Sequence, residues 1–292
     1  MLNMKKYVTI ILCLCLIVLS GCSAKYKSLT FDSDTVDEAL GKNLTEDTKV
    51  LYEAKESFAE KLPIYKITER KISKNEFNDM LEALGLEEYA HCFELDGNRI
   101  TGTIAGYTDT SRGFFDMSEE ELEALAWETF NKIPFIEGTY EYLGMKASYT
   151  LNDSNGDHIT RAGATFKRVL DGVSVRGNDR FYLYFDGTGL VEIVIELYNY
   201  EKIKEIDLVS FQSAKERIKT PDYLSLNTGV EIDTLKVEKA QLLYYNQYRL
   251  DNKVLQPVYV FKGIATDVNG GKIDFSSKIK AMPEELTYTE TD

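Results

Sequence analysis

Apolar residues recur at helical spacing in three short stretches of the chain, and each stretch opens on a serine that can cap a helix. Ser73 and Glu76 have the spacing of a capping box, and Ser118 and Glu121 repeat it. The apolar positions that follow are Phe77, Met80, Leu81 and Leu84 in the first stretch, and Leu122, Leu125, Ala126, Thr129 and Ile133 in the second. Ser210 opens a weaker third stretch. One-sided helices of this length predict a sheet for them to cover.

The second half of the chain alternates apolar and polar residues at the spacing of β-strands. Segment 165–200 reads TFKRVLDGVSVRGNDRFYLYFDGTGLVEIVIELYNY, with Asp-Gly, Gly-Asn-Asp and Asp-Gly-Thr-Gly turns between β-branched and aromatic runs. Segment 236–282 repeats this pattern around an Asn-Gly-Gly turn. Both segments predict antiparallel meanders joined by tight turns.

Helices and strands together predict an α+β protein of tandem modules, each with one helix packed on a three- to four-stranded antiparallel sheet. The predicted modules are residues 41–116, which form a degenerate first copy, 117–205 and 206–286, followed by a tail at 287–292. Each module has the size of a small α+β unit.

The first residues have the layout of an export signal. Lys5 and Lys6 precede the apolar run Tyr7–Leu19, and the small residues Ser20 and Gly21 follow it. The run is shorter than the ~20 residues that a transmembrane helix needs. We therefore expect a signal peptide at 1–21, and the polar stretch 22–40 suits a flexible tether.

The sequence Leu19-Ser20-Gly21-Cys22 resembles the lipobox of bacterial lipoproteins. The resemblance implies cleavage between Gly21 and Cys22, a diacylglyceryl thioether on the Cys22 sulfur, and an acyl chain such as palmitate on the new amino group. Two or more acyl chains suffice for stable attachment to a membrane. The expected location is the extracytoplasmic face of the cytoplasmic membrane. The alternative is an ordinary cysteine in a hydrophobic helix.

Cleavage and lipidation leave one thiol in the folded part. Cys13 and Cys15 lie in the predicted signal peptide and Cys22 carries lipid, so Cys92 remains and no internal disulfide is expected. Cys92 has apolar neighbours, which favours a small buried side chain over a reactive thiol.

The acidic balance of the chain excludes one class of partner. The net charge is −14, and it becomes −16 once Lys5 and Lys6 are removed with the signal peptide. Nucleic acid is not an expected partner, because no segment concentrates positive charge.

Two segments resemble known families. Phe166, Arg168, Asp171 and Gly172 form the F-x-R-x-x-D-G pattern that, after a capped helix, resembles PepSY-type modules, and the implied fold is PepSY/cystatin-like. The segment YYNQYRLDNKVLQPVYVFKG, with a later KAMP, is similar to the C-terminal part of the YycH/YycI family. Those proteins are extracytoplasmic regulators of a sensor kinase that controls cell-wall metabolism. The resemblance covers residues 117–283.

One loop offers candidate metal ligands. Asp153, Asn155 and Asp157 stand at alternate positions, as the first ligands of a calcium loop do. His158 and Ala164 then occupy the positions where such a loop has glycine and a bidentate glutamate. An ordinary hairpin loop is the favoured interpretation. The two histidines are far apart, no catalytic motif is present, and no cofactor is expected.

These observations predict a membrane-anchored, non-catalytic binding or regulatory module for an envelope protein, either a sensor kinase or a cell-wall enzyme, in a Gram-positive type of envelope. One alternative is an inhibitor or propeptide-like chaperone of a secreted protease, which the PepSY resemblance implies. Another is a hydrolase that uses paired carboxylates.

Overall fold

The computed structural model describes residues 44–104, 115–153, 156–177, 180–226, 230–245 and 254–283. Its helices are α1 (Lys74–Ala83), α2 (Glu119–Asn131) and α3 (Phe211–Glu216), with a 3-10 helix at Glu87–Cys92. Its strands are β1 (Lys49–Tyr52), β2 (Lys61–Glu69), β3 (Phe93–Asp96), β4 (Arg99–Thr103), β5 (Thr139–Asp153), β6 (Gly156–Leu170), β7 (Val173–Arg176), β8 (Arg180–Asp186), β9 (Gly189–Glu196), β10 (Tyr198–Asp207), β11 (Tyr223–Leu226), β12 (Ile232–Tyr245), β13 (Val254–Asp267) and β14 (Lys272–Lys280).

The three helices begin where their serine caps predict. Both capping boxes form, with Ser73 and Glu76 at the start of α1 and Ser118 and Glu121 at the start of α2. The Ser210 side chain accepts a hydrogen bond at the start of α3. No helix within the described ranges is long and apolar enough to cross a membrane. Local capping chemistry therefore determines these helix starts.

Fourteen strands form one connected, mixed sheet. Its main path runs β10-β2-β13-β12-β7-β6-β8-β9-β4-β3. Most neighbours are antiparallel, whereas β1 and β7 both run parallel to β12. β5 pairs with β6, and β14 lies between β11 and β13.

The prediction of tandem modules, each with one helix on three to four antiparallel strands, is wrong. β2 pairs with β10 and with β13, while β4 pairs with β9, so strands that precede residue 104 pair with strands of later segments within one sheet. Alternation identifies a strand, but every strand presents similar backbone groups to a neighbour. The choice of neighbour depends on tertiary packing.

Two large apolar clusters lie on this sheet. The first joins α1 and α2 to the strands β4, β6, β8 and β9, and Phe130 of α2 lies 4.6 Å, centroid to centroid, from both Phe166 and Phe181. The second joins α3 to β12, β13 and β14, and it also takes Tyr65 from β2 and Val175 from β7. The short strand β7 pairs with β6 on one side and with β12 on the other, so it joins the strands that carry the two clusters.

Candidate functional site: a cationic cleft beside β12

Part of one edge of β12 has no strand partner among the described residues. β1 pairs with it from Thr234 to Val237, and β7 pairs with it at Tyr244 and Tyr245. Between these two contacts, the described strands place no partner on this edge of residues 238–243. A cleft of about 770 Å³ opens at this gap. That volume is typical of ligand-binding clefts.

Four cationic side chains line the cleft, each from a different strand. They are Lys167 of β6, Arg176 of β7, Lys239 of β12 and Lys262 of β13, and we call them the cationic cluster. Lys239 and Lys262 are direct cross-strand partners. Like charges in this position destabilise a sheet, so the arrangement has a cost in the free protein.

A β-bulge determines this register. Val237 pairs with Gly263, and the next pair is Lys239 with Lys262, so Glu238 is the extra residue of β12. A Cβ on Gly263 would lie 1.9 Å from the backbone oxygen of Lys236. Glycine is therefore required where the two backbones approach each other.

The electrostatic field in the cleft is positive. The Lys262 side chain is exposed, but partial desolvation lowers its pKa below the ordinary value, and the positive charges of Arg176, Lys239 and Lys278 lower it further. Burial also lowers the pKa of Arg176, which the Glu141 carboxylate opposes. An anion bound among these groups would reverse these shifts, because it favours their charged forms.

Lys278, on β14, is held by two aromatic rings. Its Nζ lies 4.0 Å from the centroid of the Tyr223 ring and 4.4 Å from that of Tyr245. Nζ also donates a hydrogen bond to Tyr245 Oη at 3.1 Å. Burial lowers the pKa of Lys278. This side chain adds to the positive field from a fixed position.

Two carboxylates balance part of the charge. Arg176 Nη2 donates to Glu141 Oε1 at 3.4 Å, and this glutamate is 40% exposed. The backbone N–H of Ala240 donates to Glu56 Oε1 at 3.4 Å. Both glutamates line the cleft. Two carboxylates against four cations leave an excess of positive charge in a protein whose net charge is −14.

Three polar atoms in the cleft wall are buried and have no hydrogen-bond partner among the described residues: Tyr142 Oη, Ser174 Oγ and Arg176 Nη1. Burial raises the pKa of Tyr142 to about 12, and the charges of Glu119 and Glu123 contribute, so its hydroxyl stays protonated at neutral pH. Buried polar groups without partners are rare and costly. They offer further hydrogen bonds to a ligand that reaches the wall after a small side-chain movement.

Apart from Gln241, most of the remaining lining is apolar. Phe58 comes from the loop after β1, Leu143 from β5, and Leu242 and Leu243 from β12. Leu143 is 41% exposed, so its side chain is open to contact with a ligand. The surface therefore suits a ligand that has both acidic and apolar groups.

The residues of the F-x-R-x-x-D-G pattern have structural positions. Phe166 is fully buried in the first cluster, and the Arg168 guanidinium lies over the Tyr140 ring at 5.2 Å. Asp171 accepts a hydrogen bond from Tyr65 Oη and, with Gly172, forms the turn between β6 and β7. This pattern holds the cleft wall in place and supplies none of its cations.

The lipidation site Cys22, with Gly21 before it, lies outside the described residues, as do segments 1–21 and 22–40. Asn155 and the side chains of Asp153 and Asp157 also lie outside the described part. The backbones of β5 and β6 pair as far as Asp153 and Gly156, as an ordinary hairpin does.

No group of three or more potential metal-ligating side chains occurs among the residues that were described. Cys92 is a half-buried free thiol that packs against the first cluster. The cations of the candidate site are not among the residues singled out in the sequence, although Gly172 of the F-x-R-x-x-D-G pattern lies in the cleft lining.

The cleft is not apparent in the sequence, because the four cations that line it are spread over almost a hundred positions. One local signal was present. Lys262 follows the run Val254–Phe261, in which every residue is buried, so a charged side chain there breaks an apolar pattern. Arg176 ends β7 in a similar way. Nothing in the sequence placed these two residues beside each other.

No family model matches this chain, and no curated protein matches it. Among solved structures, the crystal structure of an uncharacterized protein from Eubacterium rectale is similar, with 11% identical residues and a TM-score of 0.46. The match covers 90% of this chain and 100% of that chain. The functional interpretation of this chain therefore rests on the geometry of the cleft.

Proposed function

We propose that this protein is a lipid-anchored, extracytoplasmic binding module, without catalytic activity of its own, that holds an acidic segment of an envelope protein in the cationic cleft. The observation that carries the proposal is the convergence of Lys167, Arg176, Lys239 and Lys262 on one cleft of an acidic protein. The four charges come from four strands, β6, β7, β12 and β13, which lie at separate places in the sequence.

Repulsion within the cationic cluster supports the proposal of a negatively charged ligand. Lys239 lies directly opposite Lys262 on the adjacent strand, and partial desolvation and cationic neighbours lower the pKa of Lys262. Such an arrangement destabilises the free protein, and a bound anionic partner would neutralise the repulsion. The apolar walls favour a protein segment over a purely ionic polymer, because apolar side chains gain from burial in the same cleft.

The proposal is tested by titrating the detergent-solubilised full-length protein into a fluorescein-labelled hexapeptide of alternating glutamate and valine, read by fluorescence anisotropy. We expect saturable binding that weakens at high salt. The double variant Lys239→Gln, Lys262→Gln should lose at least about tenfold in affinity. The matched control is Lys61→Gln with Lys132→Gln, two exposed lysines in surface ion pairs.

Three outcomes would contradict the proposal: no binding by the wild type, equal binding by the two double variants, or binding of inorganic polyphosphate in preference to the peptide. Crosslinking in intact membranes adds a second measurement. An envelope protein captured by the wild type and by the control pair, and lost with the cleft pair, is the expected result.

The membrane anchor is tested separately, because the lipobox resemblance supports it and the cleft does not. Growth with a radiolabelled fatty acid should label the wild type, whereas Cys22→Ala should take up no label and leave the membrane fraction. Absence of label on the wild type would remove the proposed location without affecting the binding site.

A further inference from the structure

We infer that the acidic segment binds as an added β-strand along the uncovered edge of β12, between β1 and β7. This inference rests on the proposed function and specifies how the ligand is recognised. An extended peptide can satisfy free backbone groups of a strand edge while its side chains enter the flanking pockets.

The backbone of β12 directs hydrogen-bonding groups into the gap. The Ala240 N–H donates to the Glu56 carboxylate, which lies on the side away from β13. The register between β12 and β13 is regular from Lys239 to Tyr245. Because alternate residues of a strand direct their N–H and C=O groups to the same side, Leu242 faces the gap as well.

The flanking strands define the length of the site. Val237 O, at one end, accepts a hydrogen bond from Glu53 N at 2.9 Å, and Tyr244 pairs with Val175 of β7 at the other end. The intervening residues, 238–243, span roughly 20 Å at about 3.3 Å per residue. Because Glu53 already lies beside Val237 and β7 begins at Val173, the stretch from Lys239 to Leu242 can pair directly with about four residues of an extended segment.

Charge complementarity identifies the occupant as acidic. Arg176, Lys239 and Lys262 surround the edge, and the group now bonded to Ala240 N is itself a carboxylate. Leu143 and Leu243 add apolar contact surface on the lining. A segment with alternating acidic and apolar residues would direct one kind of side chain to each face.

Glu56 is then a competitor that the ligand displaces. Its carboxylate occupies the donor that an added strand would use. Glu56→Ala should therefore raise the affinity for the glutamate-valine peptide by about two- to fivefold, as removal of a weak competing contact predicts.

The decisive experiment compares two isomeric peptides. Both have the glutamate-valine sequence of the binding test, but one is N-methylated on its three glutamates and the other on its three valines. In an added strand, alternate N–H groups face the protein, so one isomer should lose at least about tenfold in affinity while the other stays near the parent peptide.

Hydrogen exchange followed by NMR gives a second, independent measurement. Bound peptide should slow the exchange of the Ala240 and Leu242 amides, whereas the amide of Gln241, which faces β13 by the same alternation, should change little.

Equal affinities for the two isomers, or unchanged exchange at Ala240 and Leu242, would overturn strand addition. If the parent peptide still required Lys239 and Lys262, the cationic cleft would stand as a binding site with another mode of recognition. Absence of binding by the parent peptide would instead contradict the proposed function itself.

Discussion

At the scale of single residues, the cleft depends on lysines whose environment is determined by other strands. Lys262 has a cross-strand partner of like charge, Lys239, and further cationic neighbours in Arg176 and Lys278. Its pKa in the folded protein lies below its value in the unfolded chain. Lys262 therefore lowers stability in the absence of ligand, and this makes its role measurable.

Substitution of Lys262 by glutamine should stabilise the free protein. Between the two pKa values the unfolded chain binds more protons than the folded protein, so stability rises with pH in this range. The destabilisation caused by the Lys262 charge is therefore fully present below the lowered pKa, and it disappears as pH rises through 10.5, the ordinary lysine value. Urea unfolding at neutral pH should show a gain of about a few tenths of a kcal/mol, because solvent screens much of the repulsion at the exposed Lys262.

The gain from Lys262→Gln should shrink as pH approaches 10.5. Lys61→Gln, at an exposed ion pair, is the control and should change stability little. Loss of stability in Lys262→Gln at neutral pH would show that the lysine is satisfied within the free protein. Peptide binding should weaken over the same rise in pH, because deprotonation removes the positive charge.

At the scale of elements, helix starts and bulges have different origins. α1 and α2 begin at capping boxes that consist of residues three positions apart, so their starts are local properties. The bulge of β12 involves Glu238 on one strand and Gly263 on another. The bulge presents Lys239 opposite Lys262, and it exists only when the two strands pair.

Gly263→Ala should disturb the bulge and the site together. The new Cβ would overlap a backbone oxygen at 1.9 Å, so the strands must separate or change register. We expect a loss of about 1–3 kcal/mol in the free energy of unfolding. Affinity for the acidic peptide should also fall, since Lys239 and Lys262 lose their fixed positions.

Gly85→Ala is the matched control for this variant. Gly85 has φ +66° and no atom within 4 Å of an added Cβ, so its substitution introduces backbone strain without overlap. It should lower stability and leave peptide affinity unchanged. Wild-type affinity in Gly263→Ala would show that the bulge does not position the cations.

At the scale of the whole molecule, distant segments share one core. The second cluster contains Leu62 and Tyr65 from β2 and Val175 from β7, in addition to residues of α3 and β11–β14. Residues from both ends of the described chain thus bury the same apolar surface. The prediction of successive modules failed at this scale, because it assigned each sheet to one continuous segment.

Residues 206–286, expressed alone, should not fold cooperatively. This fragment contains α3 and β11–β14 but lacks β1, β2 and β7, which contribute to its core and edges. Thermal unfolding followed by circular dichroism should show no sharp transition, whereas the full-length protein should show one. A sharp transition in the fragment would mean that these strands form an independent unit, as the sequence pattern indicated.

Local sequence is sufficient to specify the helix starts at Ser73, Ser118 and Ser210 and the Asp171-Gly172 turn, because neighbouring residues supply the hydrogen bonds and backbone conformations involved. The lipobox at Cys22 stays a prediction of the same local kind. Strand pairing, and the meeting of Arg176, Lys239 and Lys262 in one cleft, become apparent in the folded protein alone. Packing between distant segments determines which strands become neighbours, and the alternation of apolar and polar residues within one strand does not specify its partner.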